Sequence, residues 1–197
     1  MATPASDLCR AEVAKHRARF PDVSHLEPEQ LSAMLAAGPV TLIDVRSPEE
    51  MAISTLPQAM PIARMPNPPP PDAPLVVFCT VGYRSSLEAR RLASAAPAAG
   101  VHSMAGILAW AHAGGEVIDS STDQPTRRIH AFGPQWAPMV PSGYEAVTYT
   151  TLSVPFVKAL LRVPMLWLLA IAARMRWPSD SATASSSGRG ETHTRRE

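Results

Sequence analysis

The chain has 197 residues, a net charge of +1 and 46% hydrophobic residues, enough to build one well-packed domain with extensions. This near-neutral charge, spread without basic clusters, excludes the electrostatic pattern of nucleic-acid-binding proteins. Two cysteines, Cys9 and Cys79, are too few for a disulfide framework and favour a reducing intracellular compartment. The six histidines lie apart from other metal ligands, so we predict neither a metal site nor a cofactor.

Residues 1–21 predict an N-terminal helical extension. The segment from Ala11 to Phe20 has the composition of a short helix, and no apolar core of a secretory signal precedes it. We expect this helix to lie on the surface. We expect Cys9 to lie in a mobile N-terminus, where it is incidental rather than a redox partner of Cys79.

Strand and helix patterns alternate from about Val23 to Val117. We predict strands at residues 23–26, 40–45, 57–62, 75–78 and 101–104, and helices that begin near residues 27, 47, 85 and 105. Such alternation is typical of a parallel sheet covered by helices on both faces, with ligands bound at the carboxyl ends of the strands. Because Asp44-Val45-Arg46 and Cys79 both follow strands, we expect them at the same edge of the sheet.

The segment Cys79-Thr80-Val81-Gly82-Tyr83-Arg84 joins a predicted strand to a predicted helix. At a helix N-terminus, unpaired backbone N–H groups and the helix dipole stabilise anions, and a cysteine there favours its thiolate form. Gly82 allows a tight turn, and Arg84 adds a cation that needs an anionic partner in this position. The pattern therefore predicts a reactive thiolate.

Two reactions suit a thiolate in such a loop. In sulfur transfer, the thiolate takes a sulfane sulfur as a persulfide and passes it to a nucleophile, while backbone N–H groups stabilise the anionic sulfur. In phosphatase chemistry, the same cradle binds phosphate, but this normally requires a longer loop. Four residues separate Cys79 from Arg84, which favours sulfur.

Four motifs in order resemble the rhodanese-like sulfurtransferase family: the segments at residues 42–50, 76–85 and 104–110, and the pair Gly114-Gly115. The resemblance implies an α/β fold over residues 22–118, with a central five-stranded parallel sheet flanked by helices on both faces. It implies that Cys79 is the persulfide-forming nucleophile and that Asp44 and Arg46 support the rim of the site. It implies a substrate-binding loop of Thr80, Val81, Gly82, Tyr83, Arg84 and Ser85.

The implied reaction takes sulfur from a small sulfane-sulfur donor to a thiol or cyanide-like acceptor. One departure from the family lies at Ser54 to Ala59, which lacks the usual histidine and both glycines, and this alters the rim where substrates enter. A non-catalytic rhodanese-like binding module is the alternative interpretation.

The C-terminal part divides into three predicted segments. Residues 119–150 are an irregular extension with enough apolar residues to pack on the domain, residues 151–177 an apolar helix, and residues 178–197 a disordered tail. For Leu152 to Ala173, three interpretations stay open: a helix associated with a membrane surface, one that binds a partner protein, or one packed on the domain.

Overall fold

A computed structural model of the protein describes residues 3–66, 73–95 and 100–149. In these residues the α-helices are α1 (Pro4–Arg17), α2 (Pro28–Ala37), α3 (Pro48–Ile53), α4 (Tyr83–Ala95) and α5 (Ile107–His112). The strands are β1 (His25–Leu26), β2 (Thr41–Asp44), β3 (Met60–Pro61), β4 (Leu75–Phe78), β5 (Val101–Met104), β6 (Ile118–Asp119), β7 (Gln124–Pro125), β8 (Arg128–His130) and β9 (Glu145–Val147). Short 3₁₀ helices span Ile62–Arg64 and Pro134–Met139.

Strands β1 to β5 form one parallel sheet in the order β1-β5-β4-β2-β3. All four residues of β2 and of β4 are buried, as expected for central strands that are covered on both faces. The predicted α/β fold with a five-stranded parallel sheet is confirmed. The carboxyl ends of β2 and β4 are adjacent, since Asp44 pairs with Phe78, so the segments that follow them lie at the same edge.

Two apolar clusters cover the two faces of the sheet. On one face, Leu42, Val76 and Phe78 pack with residues of α1, α2 and α5. On the other, Ile43 and Val77 pack with residues of α4. The alternation of side chains along each strand thus distributes them between two helical layers.

The N-terminal helix departs from the prediction. It begins at Pro4, and its residues Cys9, Val13 and His16 are buried against the domain. These three recur at i, i+4 and i+7, so they share one helical face. The expectation of a mobile N-terminus around Cys9 was wrong, because this side chain is only 1% exposed in the core.

The extension after α5 contains more regular structure than predicted. Strands β6 and β7 form an antiparallel pair, and β8 and β9 a parallel pair. Ile129 and Ala131 are fully buried in the same cluster as α1 and α5. Strands of two or three residues are too short to produce a recognisable alternation in sequence.

The predicted apolar segment from Leu152 to Ala173 and the predicted tail after it lie outside the residues that the structure describes. In the ranges it does describe, none of the helices combines the length and hydropathy needed to cross a membrane.

Candidate active site

The candidate nucleophile Cys79 lies directly after β4, in a short loop that ends where α4 begins. Its Sγ accepts a hydrogen bond from the backbone N–H of Gly82 at 3.2 Å and one from the Ser85 hydroxyl at 3.6 Å. Gly82 has a φ of +94°, a backbone conformation that other residues rarely adopt. The turn at Gly82 therefore directs a backbone donor at the sulfur.

A chain of buried hydroxyls stands behind the sulfur. Ser103 on β5 donates to the Ser85 oxygen at 3.0 Å. Ser85 also lies 3.2 Å from the Gly82 carbonyl, but that carbonyl accepts a shorter hydrogen bond, 2.6 Å, from Ser86. The single Ser85 proton can be donated either to the Gly82 carbonyl or to Cys79 Sγ, and a thiolate at Cys79, as a charged acceptor, favours the bond to sulfur.

The start of α5 fixes the backbone path of the loop. The N–H groups of Ile107 and Leu108 donate to the carbonyls of Cys79 and Thr80, at 2.8 and 3.3 Å. Gly106 precedes them with a φ of +112°, and a Cβ at this position would lie only 2.4 Å from the Thr80 oxygen. Only glycine permits this close approach between the loop and α5.

The Arg84 side chain is paired with an acidic residue of α3. Its Nη1 and Nη2 each donate to the Glu50 carboxylate at 2.7 Å, and Nη2 also donates to the Thr80 hydroxyl at 3.0 Å. The Thr80 hydroxyl in turn donates to Glu50 at 3.2 Å, which closes a network between α3 and the loop. Glu50 also accepts from the backbone N–H of Ser47 in a capping box of α3.

The charges of this network stabilise each other. Burial alone would raise the pKa of Glu50, but the hydrogen bonds and charge of Arg84 outweigh it and lower the pKa. Burial would likewise lower the pKa of Arg84, but the bonds to Glu50 and its charge outweigh burial and raise it. Both groups are therefore ionised at neutral pH, and the cation is already neutralised by its partner.

Asp44 and Arg46 form a second buried ion pair at the same sheet edge. Arg46 Nη2 donates to Asp44 Oδ2 at 2.7 Å and to the Ser54 carbonyl at 2.6 Å, and the Thr55 hydroxyl donates to Asp44 at 2.9 Å. Both side chains are fully buried. The pair holds the chain that follows α3 through these bonds to Ser54 and Thr55. Neither Asp44 nor Arg46 lines the cavity described next.

A cavity of about 320 Å³ opens beside Cys79. It is lined by the loop and α4 residues Cys79, Thr80, Val81, Tyr83 and Arg84, by His16 and Arg19 at the end of α1, and by Phe132 and Trp136 of the extension. Of the predicted site residues, Gly82 and Ser85 contact the sulfur without lining this cavity.

The extension contacts the loop that follows Cys79 through aromatic residues. The Phe132 ring lies 5.1 Å from the Arg84 guanidinium and 5.3 Å from the Trp136 ring, and its backbone has a φ of +64°. Tyr149 packs edge-on against Phe132 and shares a hydrogen bond with Ser47, the cap of α3. The same part of the chain thus touches both Arg84 and the helix that supplies Glu50.

The sequence did not lead us to predict the acidic partner of Arg84, nor any of the residues outside the loop that line the cavity. A signal for Glu50 existed, because the capping box that starts at Ser47 places it on the first turn of α3. The walls Phe132 and Trp136 had no local signal, since their approach to Cys79 depends on how the extension folds back.

The family model for the rhodanese-like domain matches residues 27–113. The cavity walls His16, Arg19, Phe132 and Trp136 lie outside these matched residues. A search of curated proteins finds no match to the sequence.

Several solved structures are similar to the chain. A thiosulfate sulfurtransferase from Pseudomonas aeruginosa is 20% identical over 59% of this chain and 24% of its own, with a TM-score of 0.48. A rhodanese-related protein from Thermoplasma volcanium is 21% identical over 48% of this chain and 97% of its own, with a TM-score of 0.42. A polysulfide-sulfur transferase homodimer from Wolinella succinogenes is 24% identical over 61% of this chain and 96% of its own, with a TM-score of 0.43. The chain spans only about a quarter of the Pseudomonas protein's length.

Proposed function

Given that residues 27–113 form a rhodanese-like domain, we propose that the protein is a sulfurtransferase that carries a sulfane sulfur as a persulfide on Cys79. The observation that supports this most is the surroundings of Cys79 Sγ. The sulfur lies at a cavity and accepts hydrogen bonds from Gly82 N–H and the Ser85 hydroxyl. These donors stabilise the Cys79 thiolate, which is present before sulfur is taken up and forms again when the sulfur is passed on.

In the loading step, the Cys79 thiolate attacks the outer sulfur of a sulfane donor. A sulfur–sulfur bond forms to Cys79 while the bond between that sulfur and the donor's leaving group breaks, and the leaving group departs with the electron pair. With thiosulfate the leaving group is sulfite. The terminal sulfur of the resulting persulfide carries the negative charge.

In the unloading step, a thiophilic acceptor such as a thiolate or cyanide attacks that terminal sulfur. The bond to Cys79 breaks, and its electron pair returns to Sγ as the thiolate. Gly82 N–H and the Ser85 hydroxyl, which receives a hydrogen bond from Ser103, stabilise this leaving thiolate. The same donors therefore serve both half-reactions.

The network of Glu50, Thr80 and Arg84 holds the loop in its reactive shape. Thr80 and Arg84 flank the turn, and both bind the Glu50 carboxylate on α3. Arg84 contributes its positive charge to the field at Cys79 without leaving this pair. We propose loop-positioning roles for Thr80 and Arg84, and for Asp44 and Arg46 the bracing of the adjacent segment.

The length of the loop and the pairing of Arg84 do not suit phosphatase chemistry. The loop has four residues between Cys79 and Arg84, and the arginine that would hold a phosphate is bound bidentately by Glu50. A phosphate dianion would have to displace a buried carboxylate that carries its own charge.

A steady-state assay of thiocyanate formation from thiosulfate and cyanide tests the proposal. We expect turnover by the wild type, none by Cys79→Ser, and wild-type turnover by Cys9→Ala as the matched cysteine control. Turnover that survives in Cys79→Ser would contradict the assignment of the nucleophile. A wild type that neither turns over nor takes up sulfur would favour the non-catalytic binding module instead.

A further inference from the structure

Four of the nine described residues that line the cavity beside Cys79 carry an aromatic ring. Phe132 and Trp136 pack against each other at a tilt of 45° with ring centroids 5.3 Å apart, and Tyr83 packs 5.3 Å from the ring of His16. The volume of about 320 Å³ equals that of about ten water molecules in the liquid. A small inorganic donor would leave most of these apolar walls in contact with water, whereas an organic ring would cover them.

The cavity is also suited to negative charge. Among the described residues that line it, there is no aspartate or glutamate. Arg84 is neutralised by Glu50, whereas Arg19 makes no ion pair with any acidic residue in the described ranges. One cation is thus available at the edge of an otherwise apolar pocket, as recognition of a singly charged organic anion requires.

His16 adds an unpartnered polar group to the same wall. Its side chain is 8% exposed, its Nδ1 has no hydrogen-bond partner in the described structure, and its Nε2 lies 3.1 Å from Glu12 without the alignment of a hydrogen bond. Burial lowers the pKa of His16, so the imidazole is neutral at pH 7 and can hydrogen-bond to a ligand. A buried polar atom without a partner usually indicates a ligand or a water molecule.

We propose that this pocket selects an organic sulfane-sulfur donor whose leaving group has an aromatic body, with the ring packed on the wall formed by Phe132 and Trp136 and the charged end, which carries the outer sulfur, toward Cys79 and Arg19. The inference rests on the proposed sulfur transfer at Cys79. In a thiosulfonate donor the outer sulfur is bound to a sulfonyl group. The Cys79 thiolate attacks that outer sulfur, a persulfide forms, and the bond between the outer sulfur and the sulfonyl group breaks. The leaving sulfinate takes the electron pair, and no oxidant or reductant is consumed.

Benzenethiosulfonate and methanethiosulfonate form a matched pair of probes, because both carry one negative charge and break the same type of bond. Each kcat/KM is divided by that donor's rate with a small thiol in solution, which removes intrinsic reactivity. For wild type we expect the phenyl donor to be favoured at least about tenfold, since the ring buries several additional apolar carbons.

The variants locate the origin of this preference. Trp136→Ala and Phe132→Leu should each bring the phenyl-to-methyl ratio toward one, because they remove a wall against which the ring packs. Arg19→Gln should raise KM for both donors several-fold and leave the ratio unchanged, since both donors share the anionic end. Leu87→Ala, an exposed apolar residue on α4 outside the cavity, serves as the control and should keep the wild-type ratio.

The ratio is taken within one variant, so partial loss of folded protein affects both donors equally. A wild-type ratio near one, with sulfur detected on Cys79, would overturn the inference and leave the proposed function intact. A high ratio that survives both aromatic substitutions would also overturn it. Absence of sulfur on Cys79 with every donor would overturn the proposed function itself.

Discussion

Replacing Glu50 by glutamine is expected to destabilise the protein by about 2 kcal/mol and to lower sulfur-transfer activity more than tenfold. Glutamine keeps the size of the side chain but loses its charge, and it turns an N–H donor toward the guanidinium of Arg84. Removing one partner of a buried ion pair costs about 3–5 kcal/mol. The Arg84 side chain is 32% exposed, so water compensates part of this cost and we take a value below that range.

Urea and thermal denaturation measure the effect. A loss of about 2 kcal/mol lowers Tm by about 4–8 °C in a domain of this size. Glu88→Gln is the matched control, because its partner Arg91 is 61% exposed and such a surface pair contributes about 0.5 kcal/mol or less. A double-mutant cycle with Arg84→Met should give a coupling energy of about 1–2 kcal/mol between Glu50 and Arg84.

The pH dependence supplies an independent check. The pKa of Glu50 is lowered in the folded state, because Arg84 outweighs the effect of burial. The stabilisation is therefore fully present above the unfolded-state pKa of about 4.3 and is lost as pH falls through the folded pKa. The stability difference between wild type and Glu50→Gln should stay constant from pH 8 to about 5 and narrow below about pH 4. A Glu50→Gln variant as stable as wild type at pH 7, or a coupling energy near zero, would refute this reasoning.

Two further predictions concern the loop and the second cysteine. Gly106→Ala should lower the free energy of unfolding by about 2–4 kcal/mol and reduce activity, because the added Cβ would clash with the Thr80 carbonyl at a positive φ. Gly38→Ala is the control: this position has open space and an extended backbone, so the free energy of unfolding should change by less than about 1 kcal/mol. Urea denaturation compares the two variants, and equal losses of stability would contradict the clash. Cys9 and Cys79 are equally buried, at 1% exposure each, but burial raises the pKa of Cys9 to about 11, whereas the sulfur of Cys79 receives two hydrogen bonds and lines the cavity. Iodoacetamide at pH 8 should therefore modify Cys79 faster than Cys9 in the native protein, as peptide mass spectrometry would reveal. Faster labelling of Cys9 would contradict this reasoning.

The central strands and the position of Cys79 in the fold were predictable because their signals are local. Leu75–Phe78 is a short β-branched run that begins after a proline, and the structure has the strand at the predicted bounds. The helical pattern that follows begins two residues earlier than predicted, at Tyr83 rather than Ser85. Together these two elements place Cys79 between a strand end and a helix start, as expected from the pattern alone.

The partners of the loop were not predictable in the same way. Glu50 and Arg84 are 34 positions apart, and only the packing of α3 beside the loop brings them together. The approach of Phe132 to Arg84 depends on how the extension folds back over the domain. The burial of His16 could have been predicted from the sequence, because Cys9, Val13 and His16 have the spacing of one buried helical face.

The most direct test of the central claim is intact-protein mass spectrometry after incubation with a sulfane donor and removal of the excess. The account predicts one additional sulfur atom on wild type and on Cys9→Ala, its location on Cys79 by peptide mapping, and its loss when cyanide or a thiol is added. Cys79→Ser should take up no sulfur while its circular dichroism spectrum matches wild type. Wild-type protein that gains no sulfur, or a sulfur atom that remains in Cys79→Ser, would contradict the account.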